Sequence, residues 1–291
     1  RHRARHEDRP HPRVDPLIPG VPPVMNESVF LAILLSTLAG LSTGLGGLLV
    51  FWTHHTNTRF LAVSLGFSAG MMLYISFVDL LGAARDVLFP VWGPRSGSLV
   101  MTGAFFGGIV LVMLIDRFVP SYENPHEMHR IEEAHSPRAH PAKLARVGIL
   151  MTTVIAVHNF PEGMTTFMSG LNGLKLGLPI AVAIAIHNIP EGMAAAIPMY
   201  YATKSRSKAL AFSVATGLIE PLGALVAFAF LGPFLTPAVF GVVFAAMAGV
   251  MVFISLDQLL PTAEKYGEHH LAIYGLVAGM AVMAGSLLLF L

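Results

Sequence analysis

The pattern His-Asn-x-Pro-Glu-Gly occurs twice in this chain, as His158-Asn159-Phe160-Pro161-Glu162-Gly163 and as His187-Asn188-Ile189-Pro190-Glu191-Gly192. Each copy lies inside an apolar segment long enough to cross a bilayer. A carboxylate near the centre of a membrane helix costs roughly 2.5–3.5 kcal/mol on insertion scales. Two such glutamates, each four residues after a histidine, call for a shared partner, and a divalent metal ion is the natural one. Helical geometry supports this, because residues at i and i+4 stand about 40° apart around the axis while i and i+1 stand about 100° apart. His158 and Glu162 can therefore grip one ion while Asn159 points to a neighbouring position, and His187, Glu191 and Asn188 repeat the arrangement. Two antiparallel copies facing each other would hold one ion between the His/Glu pairs, with room for a second beside the asparagines. Taken alone, a histidine in a membrane helix is more often a packed, hydrogen-bonded residue, and a proline is often just a kink. Duplication of the whole constellation, buried glutamate included, turns the balance to a cation site. The prolines add to it: Pro161 frees the carbonyl of Val157 and Pro190 that of Ile186, and a freed carbonyl in lipid needs protein, water or a cation.

A third acid, Glu220, sits beside Pro221 in Gly217-Leu218-Ile219-Glu220-Pro221-Leu222-Gly223, and the same insertion penalty marks it as a ligand. Glu162, Glu191 and Glu220 carry a formal −3, which one divalent ion reduces to −1 and two convert to +1. Imidazole, carboxylate and amide donors without thiolate suit Zn²⁺, Fe²⁺, Mn²⁺, Co²⁺ or Cd²⁺ better than Cu⁺, while Mg²⁺ and Ca²⁺ prefer all-oxygen shells. There is no Cys in the chain, so disulfides and thiolate sites are excluded. Asp79, Asp257 and Gln258 lie near the ends of apolar spans, where a residue reaching the interface and a place on an ion path are equally good readings.

The elements that must position these residues are membrane helices. Hydrophobic residues make up 54% of the 291 residues and charged ones 12%, too apolar for an ordinary soluble domain. The formal charge of +1 implies no basic surface for nucleic acid. Eight apolar spans are predicted: Glu27–Trp52, Arg59–Leu81, Leu99–Phe118, Val147–Leu171, Leu176–Tyr201, Ser207–Leu231, Pro237–Leu260 and His269–Leu291. The expected fold is thus an all-α integral membrane protein of eight transmembrane helices. Helices 1–3 fall in 27–118 and helices 4–8 in 147–291. The segment 1–26, rich in Arg, His and Pro, reads as a disordered tail. It carries no apolar core of a cleavable signal peptide, so the first span is expected to direct insertion. The loop 119–146 carries His126, His129, His135 and His140 among glutamates. It is expected to be mobile, and reads equally as a weak metal sensor or a solvated polar loop.

Ten Lys and Arg residues lie on the side of that loop and three on the other when the tail's five Arg residues are set aside, which places the His-rich loop in the cytoplasm and both termini outside. The steps Gly40/Gly44, Gly66/Gly70, Gly103/Gly107 and Gly275/Gly279 permit close helix contacts; bundle packing is their commoner use and a homodimer seam the alternative. Finally, Ala69-Gly70-Met71-Met72-Leu73-Tyr74-Ile75-Ser76 echoes Ala248-Gly249-Val250-Met251-Val252-Phe253-Ile254-Ser255 in antiparallel spans. This and the paired motifs predict an inverted repeat (3+2+3) with a binding site near mid-membrane.

These residues resemble the ZIP (Zrt/Irt-like protein) family of metal-ion transporters, in particular its bacterial branch. The likeness runs over all eight spans, from about Glu27 to Leu291. It rests on the paired motifs, the Glu220-Pro221 element, the His-bearing loop and the outside termini. It implies zinc import into the cytoplasm across a bacterial inner membrane, with tolerance for iron, manganese, cobalt and cadmium. It also implies a binuclear centre. His158, Glu162, His187 and Glu191 match one ion position, with Met72 an added ligand from the second span, although spacing alone reads Met72 as packing. Asn159, Asn188, Glu191 and Glu220 match the other position. Some relatives open the second motif with Gln-Asp; here His187-Asn188 removes a carboxylate from that position. The resemblance further implies an elevator motion, spans one, four, five and six sliding against two, three, seven and eight.

Two other classes fit the residues less well. An intramembrane metallohydrolase needs an open metal position and a general base, yet the chain has no His-Glu-x-x-His and its motifs look symmetric. A metal-gated channel would show flux that does not saturate with metal.

Overall fold

The structure, a computed structural model, describes residues 27–49, 51, 58–118, 159–171, 173–231, 234, 236–266 and 269–289. The expected tail 1–26, the loop 119–146 and the first part of the fourth span, with His158, lie outside the described residues. There is no strand among the described residues. That follows from a bilayer solvent, in which each backbone N–H and C=O must find its partner within its own segment. Six described segments are long and apolar enough to cross a membrane, so this is a multi-pass membrane protein. One of them, Arg59–Leu114, is 56 residues long, far more than the ~20 residues that one crossing needs.

The helices are α1 (Glu27–Leu49), α2 (Thr58–Tyr74), α3 (Leu81–Phe118), α4 (159–171), α5 (Leu174–Thr203), α6 (Arg206–Gly217), α7 (Ile219–Val226), α8 (Pro237–Ile254), α9 (Leu260–Tyr266) and α10 (His269–Leu289). A π-helical turn, Ile75–Leu80, joins α2 to α3, and another, Ser255–Leu259, joins α8 to α9. The two echoing segments of the sequence thus each run straight into a π turn. In both, a serine donates to the carbonyl four residues back, Ser76 to Met72 at 2.6 Å and Ser255 to Met251 at 2.7 Å. Such back-bonding competes with the helical ladder and bends it.

The helix ends follow local chemistry. Ser205 accepts from the Lys208 amide and caps α6, and Thr236 accepts from the Val239 amide ahead of Pro237 and caps α8. The expected gap between the second and third spans is itself helical. α3 begins at Leu81 and is kinked at Gly93 (φ 75°, ψ 166°), between Pro90 and Pro94. The apolar window marks where lipid ends, whereas a helix stops only where the backbone is interrupted. Here that interruption is a positive φ followed by a residue without N–H. Pro190 leaves α5 unbroken from Leu174 to Thr203, while the sixth span is interrupted at Leu218, three residues before Pro221.

Packing divides the helices into two sets. α1, α4, α5, α6 and α7 interlock, and α2 with its continuation, α3, α8, α9 and α10 form the second set. The close glycine contacts respect this division. In the first set a methyl at Gly40 would strike the carbonyl oxygen of Gly217, and one at Gly46 that of Ile189. In the second, Gly66 meets Ala272, Gly70 meets Leu276, Gly108 meets Ala246 and Gly249 meets Phe105 in the same way. Between the sets the contact is made instead by larger side chains: Leu65 and Met72 of α2 share a buried apolar cluster with Ile180 and Ile184 of α5. Leu61 shares a second one with Met193, Ala196 and Ile197. Of the four small-residue steps, Gly103/Gly107 alone meets nothing within 4 Å at either glycine among the described residues.

Gly70→Ala should therefore destabilise the detergent-solubilised protein by about 1–3 kcal/mol through overpacking, whereas Gly103→Ala should leave its thermal unfolding unchanged or slightly raised. Equal melting of both variants with the parent would contradict the packing described.

Candidate metal centre

Five helices build the site, α6 among them through the Thr216 carbonyl. α4 supplies Asn159 and Glu162, α5 supplies His187, Asn188 and Glu191, α7 supplies Glu220, and α1 supplies main-chain carbonyls. Asn159, Glu162, Asn188 and Glu220 are 0% exposed and His187 and Glu191 1%. The described buried residues include no Lys or Arg to balance the three carboxylates.

Ligand atoms of Glu162, His187 and Glu191 all lie within 4.8 Å of one another. The imidazole Nε2 of His187 stands 3.2 Å from Glu162 Oε1. Two donors on one tetrahedral ion with bonds of ~2.0–2.1 Å stand roughly 3.3 Å apart, so this pair has the spacing that a shared ion requires. The imidazole also donates to the main chain of Ala183, which fixes its ring orientation as a supporting carbonyl does for metal-binding histidines. The two glutamates and the histidine that the motif spacing selects do converge, across two helices.

Beside this trio lies a second group. Asn188 donates to the Ala39 carbonyl at 3.0 Å and also to Glu220 Oε1. Asn159 donates to the Thr216 carbonyl at 3.1 Å. A carbonyl oxygen can only accept, so in both asparagines the amide nitrogen must face it and the amide oxygen is turned the other way. Asn159 Oδ1, Asn188 Oδ1, Glu162 Oε2 and Glu220 Oε2 are left buried with no hydrogen-bond partner among the described residues. A buried acceptor without a partner costs about 1–3 kcal/mol; four of them around two linked groups suit a cation.

The last residue of each motif now has a physical role. A methyl at Gly163 would fall on the carbonyl oxygen of Glu220, and a methyl at Gly192 on that of Thr43. Glycine lets the motif helices approach α7 and α1 at backbone distance and so brings Glu162, Glu191 and Glu220 together. Ser213 ties the far side by donating to Thr43 O at 2.7 Å and Gly192 O at 3.2 Å.

Met72 is fully buried on α2. It stands one helical turn from Ser68, whose hydroxyl donates to the His187 carbonyl at 3.1 Å. The residues expected near span ends fall on the π turns Ile75–Leu80 and Ser255–Leu259: Asp79 and Gln258 each stand three residues after the back-bonding serine, with Asp257 beside Gln258. His158 and the loop histidines lie outside the described residues. Sequence reasoning passed over Ser68, Ser213, Thr216 and the Ala39 carbonyl. Main-chain acceptors carry no residue signature, and serines inside apolar spans are common.

A family model described as ZIP Zinc transporter matches residues 119–287, more than half of the chain. The zinc transporter ZupT of Streptococcus mutans is 52% identical over 267 residues, covering 92% of this chain and 100% of that protein. That of Chlorobium phaeovibrioides is 57% identical over 265 residues, 91% and 99% of the two chains. That of Nitratidesulfovibrio vulgaris is 53% identical over 272 residues, 91% and 98%.

Asn188→Ala removes two hydrogen bonds at once and should destabilise the metal-free protein by about 1–3 kcal/mol. Asn159→Ala, which loses one, should cost less. Thermal unfolding in detergent with a chelator present measures both, and an Asn188→Ala variant as stable as the parent would show that these bonds do not organise the site.

Proposed function

This chain belongs to the ZIP zinc transporter family, and on that premise we propose that it imports zinc across a bacterial inner membrane through a binuclear mid-membrane centre. The observation that carries the proposal is the convergence of Glu162, His187 and Glu191 within 4.8 Å, fully buried and without a described Lys or Arg. In this reading one ion is held by His158, Glu162, His187 and Glu191, with Met72 as a further ligand. The second is held by Asn159, Asn188, Glu191 and Glu220. Iron, manganese, cobalt and cadmium, which the same borderline donors accept, are alternative cargo. The relatives bear the names of transporters, and the hydrolase reading is not kept.

The protein's part is to replace the water shell of the cargo by oriented donors. The amide oxygens are pre-set by hydrogen bonds on their nitrogens, and the imidazole by Ala183, so binding costs little reorganisation. The three carboxylates bring the charge that offsets lost hydration. With one divalent ion the group keeps a net −1, and with two it reaches +1, so the second ion is held more weakly and leaves more readily. Release is then compatible with tight first binding.

Alternating access by an elevator-like motion is the transport mode we favour. Six hydrogen bonds stitch α1, α4, α5, α6 and α7 to one another around the centre, and each close glycine contact joins helices of the same set. A body so tied would move as one unit against α2, α3, α8 and α10, with the smoother apolar contact between them as the sliding surface. The full complement of eight transmembrane helices in an inverted repeat, with both termini outside and the His-rich loop 119–146 in the cytoplasm, belongs to the same reading. The recurrence of π turns after the echoing segments supports it. A homodimer seam fits best at Gly103/Gly107, the step left open.

Protein reconstituted in liposomes should accumulate zinc with saturable kinetics, and His158→Ala, His187→Ala and Glu191→Ala should each reduce uptake to the protein-free background. Undiminished uptake in all three would refute the assigned centre, and flux that never saturates would favour a channel. Competition by iron, manganese, cobalt and cadmium in the same assay ranks the cargo.

A further inference from the structure

The bond between Ser68 and His187 stands apart from the others. The six interhelical side-chain bonds around the centre remain inside the first helix set. Ser68 is on α2, in the second set, and its hydroxyl reaches across to the main-chain carbonyl of His187 at 3.1 Å. It is 0% exposed, so water does not compete for the bond. Like Ser213 of the first set it bonds between helices, whereas several other serines and threonines of the apolar spans bond within their own helix. Thr37, Ser76, Thr166 and Ser255 each donate to the carbonyl four residues back in their own helix. Ser68 instead spends its donor on a carbonyl 119 residues away in sequence. The acceptor belongs to the residue whose imidazole faces Glu162.

We propose that Ser68 is a positioning residue for transport: its hydroxyl registers the site-bearing helix set against α2 by holding the His187 carbonyl in this state, and it must release that carbonyl whenever the set moves. The inference rests on the two-body reading above and adds to it a specific restraint. The apolar side chains described between the two helices, Leu61, Leu65 and Met72 on α2 and Ile180, Ile184 and Ile197 on α5, set how closely the helices approach without fixing where along each other they stop. A hydrogen bond has both a distance and an angle, and so defines one axial register. With Met72 one turn further along α2, that register also sets the height of Met72 relative to His187. Because the bond goes to a main-chain atom, it does not occupy a ligand nitrogen of His187 and leaves cargo binding to the side chains.

The chain has no native cysteine, so introduced thiols report alone. Leu61 of α2 and Ile197 of α5 share a buried cluster, and a Leu61→Cys/Ile197→Cys pair treated with a short bifunctional thiol reagent reports the population of this register. Adding Ser68→Ala should lower the rate of crosslinking by about threefold, the factor that corresponds to the ~0.6 kcal/mol average of membrane interhelical hydrogen bonds. Ser68→Thr should restore it. In uncrosslinked protein the maximal uptake rate should change in Ser68→Ala while the zinc bound per protein at saturation does not, a split that general destabilisation would not give. Should the alanine variant not accumulate, Ser68→Thr against Ser68→Val makes the same comparison at matched volume. Unchanged crosslinking and uptake in the hydroxyl-free variants, with the crosslink still arresting uptake, would overturn the role of Ser68 and leave the two-body motion standing. A complete crosslink that leaves uptake intact would instead overturn the two-body reading itself.

Discussion

Three carboxylates in the interior of a membrane protein are the constraint around which this molecule is arranged. Glu162, Glu191 and Glu220 are buried to 1% exposure or less, in a medium where an uncompensated charge costs several kcal/mol. Proteins usually meet such a cost with lysine or arginine. Here no lysine or arginine stands among the described buried residues, and the hydrogen bonds near the carboxylates leave oxygens available. Asn188 spends its amide protons on Ala39 and Glu220 and Asn159 directs its own to Thr216. On the proposed reading, a site that is costly when empty and over-neutralised when doubly filled is poised between holding and releasing its cargo.

The same constraint explains the backbone packing. Side chains as short as glutamate and asparagine can converge only if their helices nearly touch. Gly163 and Gly192 close the two motifs for that reason, each lying against a main-chain carbonyl of a neighbouring helix. Gly40 and Gly217 do the same between α1 and the break before Glu220. Close approach also gives rigidity, since interlocked backbones can slide past one another only by first separating. Among the described residues the α2–α5 contact lacks such interlocks and is built from leucine, isoleucine, methionine and alanine, with Ser68 as a directional element in it. A stiff set that carries the three carboxylates beside a smoother surface is the mechanical counterpart of the electrostatics.

The π turns at Ile75–Leu80 and Ser255–Leu259 form a second pattern. Each follows one of the echoing segments, each holds a serine bonded back to a methionine carbonyl, and each presents an acid or amide three residues further on. A π turn shifts the register of everything after it by about one residue relative to an α-helix. Asp79 and Gln258 are therefore turned to faces that a simple 100° wheel does not predict.

The sequence by itself determined the class of the fold and singled out Glu162, His187 and Glu191, which the structure brings together. Each of these is written in side-chain type and spacing: long uncharged runs, an acid four residues after a histidine, and the duplication of both. Helix ends were less legible, as at Leu81–Gly93, because hydropathy reports the lipid boundary and not the hydrogen-bond ladder. Only the tertiary structure decided which helices are locked together, that Glu220 meets Asn188 while Glu162 meets His187, and that Ser68 reaches across to the main chain of His187. Those facts depend on backbone carbonyls and on the axial register between helices. A carbonyl is the same in every residue, and register is set by contacts far apart in the chain, so neither leaves a mark in a local pattern of residue types.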